Sequence, residues 1–223
     1  MELLKVLFWI LFLVVFYTYI GYGLVLFVLV RLKRLFAPAP KVDTADYLPE
    51  VTLLIPAYNE KDYVDQKIRN SMALDYPADK LKICWVTDGS DDGTPELARQ
   101  YEGVTVYHSP ERKGKINAMN RVMPFVKSPI VIFSDANTLL GEHSIRKIAD
   151  RFADPRVGCV SGEKRIINKE KDTAAGAGEG LYWKYESTLK KWDAELHSVV
   201  GAAGELFAIR TELFTEVEAD TIL

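Results

Sequence analysis

The sequence predicts an α/β protein with a mostly parallel sheet, helices on both faces of that sheet, and one apolar helix ahead of it. Short apolar runs typical of strands alternate with segments whose apolar residues recur at helical spacing. This alternation is typical of a parallel sheet with crossover helices. A long apolar stretch precedes the first strand and predicts the separate helix.

The N-terminal segment, residues 1–35, is predicted to span a membrane. No charged residue occurs from Val6 to Val30, and about 20 apolar residues suffice to cross a bilayer core of roughly 30 Å. A signal peptide would have a shorter apolar region and a small-residue cleavage site, so we expect the segment to be retained. A buried core helix is the alternative.

The charges that flank this segment predict its orientation. Lys5 precedes the uncharged stretch Val6–Val30, whereas Arg31, Lys33 and Arg34 follow it, and basic flanks favour the cytoplasmic face. We therefore expect a single-pass protein of the plasma or inner membrane whose remaining domain is cytoplasmic.

The composition excludes some other classes. The net charge of the 223 residues is −3 with acids and bases interspersed, so nucleic acid is not an expected partner. Cys84 and Cys159 both occur in runs that suggest buried strands. We therefore expect neither a disulfide framework nor a cysteine metal site.

The proline-containing segment 36–49 predicts a linker, because proline cannot continue a helix. One domain, 50–223, is expected after it. Strands are predicted at Val51–Ile55, Lys82–Val86, Val104–Tyr107 and Ile130–Phe133, with helices at 60–74, 94–101, 114–125 and 141–152. The helix at 94 is expected to begin with Thr94 as N-cap and Pro95 after it.

The pattern changes in the last third of the chain. Val157–Ser161 and Glu163–Ile167 are β-like and predict an antiparallel extension, and Thr173–Gly180 is predicted to be a mobile loop because glycine and alanine dominate it. A helix is predicted at 179–197. Its apolar face is expected to pack in a core, with a membrane interface or an acceptor groove as the alternative; it comprises Tyr182, Tyr185, Leu189, Trp192 and Leu196.

Polar clusters follow the predicted strands at the point where each ends. Asp88 follows the second strand and Asp135 follows the fourth. Because the carboxyl ends of parallel strands face a common crevice, we expect these two carboxylates to converge on one ligand.

Three of these clusters have residue types suited to a phosphorylated ligand. Asp135 and Asn137 could share Mg²⁺ or Mn²⁺, which prefer oxygen ligands, although a plain turn would use the same residues. Asp88 could accept hydrogen bonds from a nucleobase or ribose, or mark a turn. Lys113-Gly114-Lys115 places two cations at a predicted helix start, which favours anions.

The order of the motifs carries a family resemblance. The chain contains VTLLIPAYNE at 51–60, VTDGSDDGT at 86–94, KGKINAMN at 113–120 and SDAN at 134–137. Together they resemble family 2 glycosyltransferases of the GT-A fold, over about 50–210. The sequence looks closest to the membrane-bound branch that includes poly-N-acetylglucosamine, hyaluronan and cellulose synthases.

The resemblance implies a nucleotide-sugar donor, most often a UDP-sugar, inversion at the anomeric carbon, a saccharide or lipid-linked acceptor, and Mg²⁺ or Mn²⁺ as cofactor. It places Asp88 at the uracil, Lys113 near the diphosphate, and Asp135 with Asn137 at the metal. The other implied donor-binding residues are Pro56, Ala57, Tyr58, Asn59, Glu60 and Ser134. The implied acceptor-side residues are Gly201, Ala202, Ala203 and Gly204.

Departures from the family pattern qualify the expected activity. Thr87 stands where the family has an acid, which leaves the nucleobase contact to Asp88. Asn137 stands where the family's metal motif has its second acid, so weaker metal binding is expected. The family's catalytic base follows the acceptor loop, and it has no evident counterpart here; Glu205 and Asp220 are weak candidates. The chain resembles the front part of a longer enzyme.

Two other functions stay open at this point. An inactive nucleotide-sugar-binding membrane protein that acts through a partner is the main alternative. A sugar nucleotidyltransferase is less favoured, since it would need a glycine-rich loop where this chain has Pro56-Ala57-Tyr58-Asn59.

Overall fold

The computed structural model of the protein describes residues 1–37, 43–44, 46–163, 174–199, 201–218 and 221, without the side chains of 174–179 and 181. The chain forms two compact units. The helical unit comprises Met1–Lys41 and Lys164–Gly201, and the sheet unit comprises Val42–Glu163 and Ala202–Leu223.

The helical unit begins with a continuous apolar helix. Helix α1, Glu2–Phe16, passes through a π-helical segment, Tyr17–Gly21, into helix α2, Tyr22–Phe36. Within the described part of the chain, this is the one helix long and apolar enough to cross a membrane, and no residue of its most apolar stretch is buried. The predicted N-terminal apolar helix is confirmed.

The sheet unit contains a six-stranded mixed sheet with the order β3-β2-β1-β4-β6-β5. The strands are β1 Val51–Ala57, β2 Leu81–Asp88, β3 Val104–Ser109, β4 Ile130–Ser134, β5 Cys159–Ser161 and β6 Leu206–Arg210. The first four strands are parallel, whereas β6 is antiparallel to β4 and to β5. The predicted mostly parallel sheet is confirmed.

Helices cover both faces of this sheet. They are α3 Lys61–Met72, α4 Thr94–Ala98, α5 Lys115–Val122 and α6 Ser144–Arg151. Leu53 and Ile55 of β1 belong to the core that packs on α3 and α6, while Leu54 belongs to the core beneath α5. This alternation follows from the two-residue repeat of a strand.

Helix α7, Ala174–Leu196, returns to the helical unit and packs on α2. Trp192 lies against Phe27 with ring centroids 5.6 Å apart, and Lys33 donates to the carbonyls of Glu195 and Leu196 at the end of α7. The apolar face predicted on this helix therefore packs in part against another helix.

Three local predictions differ from the structure. The loop predicted at Thr173–Gly180 is wrong, because α7 already begins at Ala174; alanine, the residue with the highest helix propensity, occupies three of its first four positions. Gly93, with φ +90°, is the N-cap of α4, so Thr94 is one residue further in than predicted. Cys159 is exposed on a sheet edge rather than buried, whereas Cys84 is buried as expected.

The antiparallel extension is partly confirmed. Strand β5 lies within the predicted Val157–Ser161 and pairs with β6. Glu163–Ile167 lies almost entirely outside the described residues. Strand β6 is not among the predicted strands, since its short apolar run follows the glycines at 201 and 204 and has no strand pattern of its own.

Candidate active site

A cleft of about 360 Å³ opens at the carboxyl ends of the parallel strands in the sheet unit. Strand β1 has β2 on one side and β4 on the other, so the chain reverses direction across the sheet at this point, where open α/β sheets bind ligands. The cleft is lined by Pro56, Ala57, Tyr58, Glu60, Asp88, Arg112, Gly114, Lys115, Ala118, Asp135, Ala136 and Asn137. Asp88 and Asp135 therefore share one cleft, as their positions after the strands predicted.

The loop after β1 places Tyr58 and Glu60 in the cleft but turns Asn59 away from it. Asn59 adopts φ +52°, and its side-chain amide exchanges hydrogen bonds with the Asp91 side chain and backbone N–H. Asn59 thus ties this loop to the one after β2. Burial, with the nearby Asp135 and Asp92 carboxylates, raises the pKa of Glu60.

Asp88 organises the loop on the opposite side of the cleft. Its Oδ2 accepts hydrogen bonds from the backbone N–H groups of Lys113 at 2.7 Å and Gly114 at 2.6 Å. Gly89 follows in a left-handed conformation, φ +73°, with Arg112 packed directly against its Cα. This buried carboxylate therefore holds the loop backbone at Lys113 and Gly114.

The structure brings Lys115, not Lys113, into the cleft. The Lys113 ammonium pairs with Glu111 at 2.9 Å and is exposed, whereas the Lys115 ammonium contacts Asp135 Oδ1 at 2.6 Å. The Arg112 guanidinium lies 3.8 Å from the centre of the Tyr58 ring. Lys115 and Arg112 are the cations that sequence reasoning missed as site residues, although Lys115 stood in the same Lys-Gly-Lys motif.

Asp135 and Asn137 line the cleft together, two residues apart after β4. Among the described residues, no group of three or more His, Cys, Asp or Glu side chains could hold a metal. A carboxylate and an amide oxygen still suit Mg²⁺ or Mn²⁺ when phosphate oxygens and water complete the coordination. The donor set therefore fits a metal that binds together with a phosphorylated ligand.

Ser134 lies beneath the cleft rather than in it. It is buried, and its hydroxyl accepts a hydrogen bond from the Lys67 ammonium at 2.7 Å. Burial lowers the pKa of Lys67 to about 8.

The segment before β6 contacts the Asp135 side of the site. The Asp135 N–H donates to the Glu205 carbonyl at 3.2 Å, and the Lys115 ammonium lies 3.5 Å from the Gly204 carbonyl. Ala203 donates its N–H to Ser161 Oγ. Gly201 belongs to the helical unit, and Asp220 lies outside the described residues.

Comparison with known proteins matches most of the chain to one protein family. Residues 52–217 match the family described as "Glycosyl transferase family 2". The chain is 29% identical over 168 residues to the beta-monoglucosyldiacylglycerol synthase of Trichormus variabilis, covering 71% of this chain and 34% of that protein. It is 32% identical over 128 residues to the poly-beta-1,6-N-acetyl-D-glucosamine synthase of Staphylococcus aureus, covering 56% and 31%. The chain thus spans about a third of the length of these curated relatives.

Solved structures share the fold. A mannosyltransferase from Pyrobaculum calidifontis, PcManGT, in complex with GDP-Man and Mn²⁺, superposes with a TM-score of 0.71 at 27% identity, over 90% of this chain and 55% of that one. TarS of S. aureus in complex with UDP-GlcNAc gives a TM-score of 0.50 at 16% identity over 56% and 37%, a likeness of fold alone.

Proposed function

Because the chain belongs to glycosyl transferase family 2, we propose that it transfers a sugar, with inversion, from a nucleoside-diphosphate sugar to a saccharide or lipid-linked acceptor. The proposal rests on one cleft, at the carboxyl ends of the neighbouring strands β1 and β4. Asp88, Lys115 and Asp135 all line this cleft. Such a cleft offers carboxylates for the sugar nucleotide's hydroxyl and N–H groups and cations for its diphosphate.

The nucleoside is proposed to lie on the Asp88 side of the cleft. Tyr58 and Arg112, stacked at 3.8 Å, present flat surfaces on which a base can pack. Asp88 already accepts two backbone N–H groups through Oδ2. Its second oxygen is proposed to accept from the base.

The diphosphate is proposed to lie between Lys115 and Asp135. The ammonium of Lys115 can donate to phosphate oxygens as negative charge develops on the leaving group. A divalent ion held by Asp135 and Asn137 would neutralise the same charge when bound. The first residues of α5 add backbone donors that favour an anion.

The acceptor is proposed to enter from the side of Gly204, whose carbonyl lies near Lys115. A general base must take the proton of the acceptor hydroxyl. Glu205, whose backbone contacts Asp135, and Asp220 remain the candidates within this chain.

Binding and transfer assays test the proposed donor. UDP- and GDP-sugars, with and without Mn²⁺, are titrated into the purified protein and followed by calorimetry, because solved structures that share the fold hold GDP-Man and UDP-GlcNAc. We expect a UDP-sugar to bind in a metal-dependent way and to be consumed when acceptor is added. Failure of every nucleotide sugar to bind would overturn the proposal, and binding without transfer to any acceptor would favour a binding protein instead.

We also propose that the helix Glu2–Phe36 anchors the protein in a membrane with the sheet unit in the cytoplasm. At 1.5 Å per residue the 35 residues span about 50 Å, more than the roughly 30 Å of a bilayer core. We therefore propose that the C-terminal end of α2 projects from the bilayer. At this end Arg34 contacts Glu195, at the charged end of α7.

Membrane extraction tests the anchor. Leu11→Arg places a charge on the exposed apolar part of α1, at a cost of about 3 kcal/mol, whereas Leu35→Arg lies near the basic end of α2. We expect alkaline carbonate to extract more of the first variant than of the wild type and the second. Full extraction of the wild type would contradict the anchor.

A further inference from the structure

Lys67 of α3 is fully buried, with none of its surface exposed, although it carries an ammonium group. A buried charge is costly unless it is compensated by hydrogen bonds. Its Nζ donates to the Ser134 hydroxyl at 2.7 Å and to the Thr138 carbonyl at 2.5 Å. Both acceptors belong to the segment 134–140, which carries Asp135 and Asn137 into the cleft.

Asn70, one helical turn later, holds the other end of the same segment. Its side-chain amide donates to the Leu140 carbonyl at 2.9 Å, and its side-chain oxygen accepts from the Leu140 N–H at 2.8 Å. Helix α3 therefore contacts the segment at its beginning, in its middle and at its end, through two side chains on one face.

These bonds constrain the backbone on both sides of the residues that line the cleft. Asp135 follows Ser134 directly, and Asn137 precedes Thr138 directly. After Ser134, the last residue of β4, residues 135–140 form neither strand nor helix and have one internal backbone hydrogen bond, from Thr138 N–H to the Asp135 carbonyl. Side-chain bonds from α3 therefore supply much of its rigidity.

We propose that Lys67 and Asn70 act as positioning residues that hold Asp135 and Asn137 in the geometry needed for a divalent metal and the donor diphosphate. The inference rests on the proposed function for its ligand. Neither residue lines the cleft, so both act through the segment 134–140. Mutation of groups that orient metal ligands in this way typically lowers metal affinity by about 10- to 100-fold.

The matched pair Lys67→Met and Lys80→Met tests the role of the lysine. Lys80 also donates its ammonium to a backbone carbonyl, that of Leu48 at 2.7 Å, but away from the cleft. In Lys67→Met we expect faster hydrogen–deuterium exchange in peptides covering 134–141, and a loss of about tenfold or more in the Mn²⁺-dependent affinity for UDP. We expect Lys80→Met to leave both at the wild-type level.

Asn70→Ala keeps the buried lysine and provides a second variant if Lys67→Met does not fold. It should raise exchange around Leu140 and weaken Mn²⁺-dependent UDP binding, with little change in UDP binding measured in chelator. Wild-type exchange at 134–141 and wild-type Mn²⁺ affinity in a folded variant, with a lowered melting temperature alone, would overturn the positioning role. If the wild type itself bound no nucleotide, the proposed function would fail instead. The exchange measurement would still show whether Lys67 and Asn70 hold the segment 134–140 in place.

Discussion

The ammonium of Lys115 contacts Oδ1 of Asp135 at 2.6 Å across the cleft, although the two residues lie on different elements 20 positions apart. Both side chains are about one-third exposed. The pair brings together the cation proposed for the diphosphate and the carboxylate proposed for the metal. We therefore expect a bound donor and metal to separate the pair, with Lys115 turning to the diphosphate and Asp135 to the metal.

Substitution Lys115→Met is expected to change metal binding and nucleotide binding in opposite directions. Removing the ammonium leaves Asp135 without its competing cation, so Mn²⁺ alone should bind more tightly. UDP binding in Mn²⁺ should weaken, because charged hydrogen bonds of about 1.5–3 kcal/mol are lost. Calorimetric titration with Mn²⁺, and then with UDP at saturating Mn²⁺, measures both effects.

Lys113→Met is the matched control, since Lys113 stands two residues away and pairs with Glu111 outside the cleft. It should alter UDP affinity by no more than about fivefold, since exposed ion pairs contribute about 0–1 kcal/mol. A large loss in this variant with none in Lys115→Met would restore Lys113 as the diphosphate ligand.

Asn137→Asp is expected to strengthen the metal site. The substitution adds a negative charge two residues from Asp135 without enlarging the side chain, and more charge among oxygen ligands raises the affinity for divalent cations. Mn²⁺ should bind more tightly, and Asp135→Ala should abolish the metal-dependent part of UDP binding. Unchanged Mn²⁺ affinity in both variants would show that the metal binds elsewhere.

Much of this site could be predicted because it depends on topology. Parallel strands place their carboxyl ends along one edge, so Asp88 and Asp135 had to converge once the strand–helix alternation was recognised. Which lysine enters the cleft could not be read in the same way. That depends on the left-handed Gly114, φ +95°, and on α5 beginning at Lys115.

Pairing between strands that lie far apart in the chain could not be predicted from local sequence patterns either. Strand β6 is a strand because it pairs with β4 and β5, from distant parts of the chain. The role of Lys67 was equally hidden, since a lysine in a helix is ordinarily solvent-exposed. Its three-dimensional neighbours, Ser134 and Thr138, are about 70 residues away along the chain.

The buried hydroxyl of Tyr76 is expected to make the protein less stable at alkaline pH. Burial raises its pKa to about 12, and its hydroxyl donates to the Pro49 carbonyl at 2.5 Å. In the unfolded chain the pKa is about 10, so the unfolded state loses the proton first. The contribution of Tyr76 to the free energy of unfolding is therefore complete below pH 10. It declines between pH 10 and 12, by at most about 1.4 kcal/mol per pH unit.

The comparison with Tyr76→Phe isolates that contribution, since the other titrating groups are common to both proteins. Urea unfolding in detergent from pH 8 to 11.5 should show the wild type losing free energy of unfolding faster than the variant above pH 10. Parallel curves would mean that Tyr76 titrates normally in the folded protein.

Gly89→Ala is expected to disturb the site through its backbone rather than through a lost contact. A Cβ at this position would lie 2.6 Å from the Arg112 Cβ and 2.8 Å from its Cα and N. Backbone atoms cannot move aside as a flexible side chain can, so the Arg112–Gly114 loop must shift away from Asp88. We expect a destabilisation of about 2–4 kcal/mol, from left-handed strain and overpacking together, and weaker nucleotide binding.

Gly103→Ala separates strain from displacement of the loop. Gly103 has a similar positive φ of +82°, yet a Cβ there would meet no atom within 4 Å. It should lose only the strain, about 1–2 kcal/mol, and bind UDP in Mn²⁺ like the wild type. Because the two variants share the backbone cost, the difference in UDP affinity between them measures how far the cleft depends on the contact between Gly89 and Arg112. Equal affinities would show that the position of Arg112 does not govern donor binding.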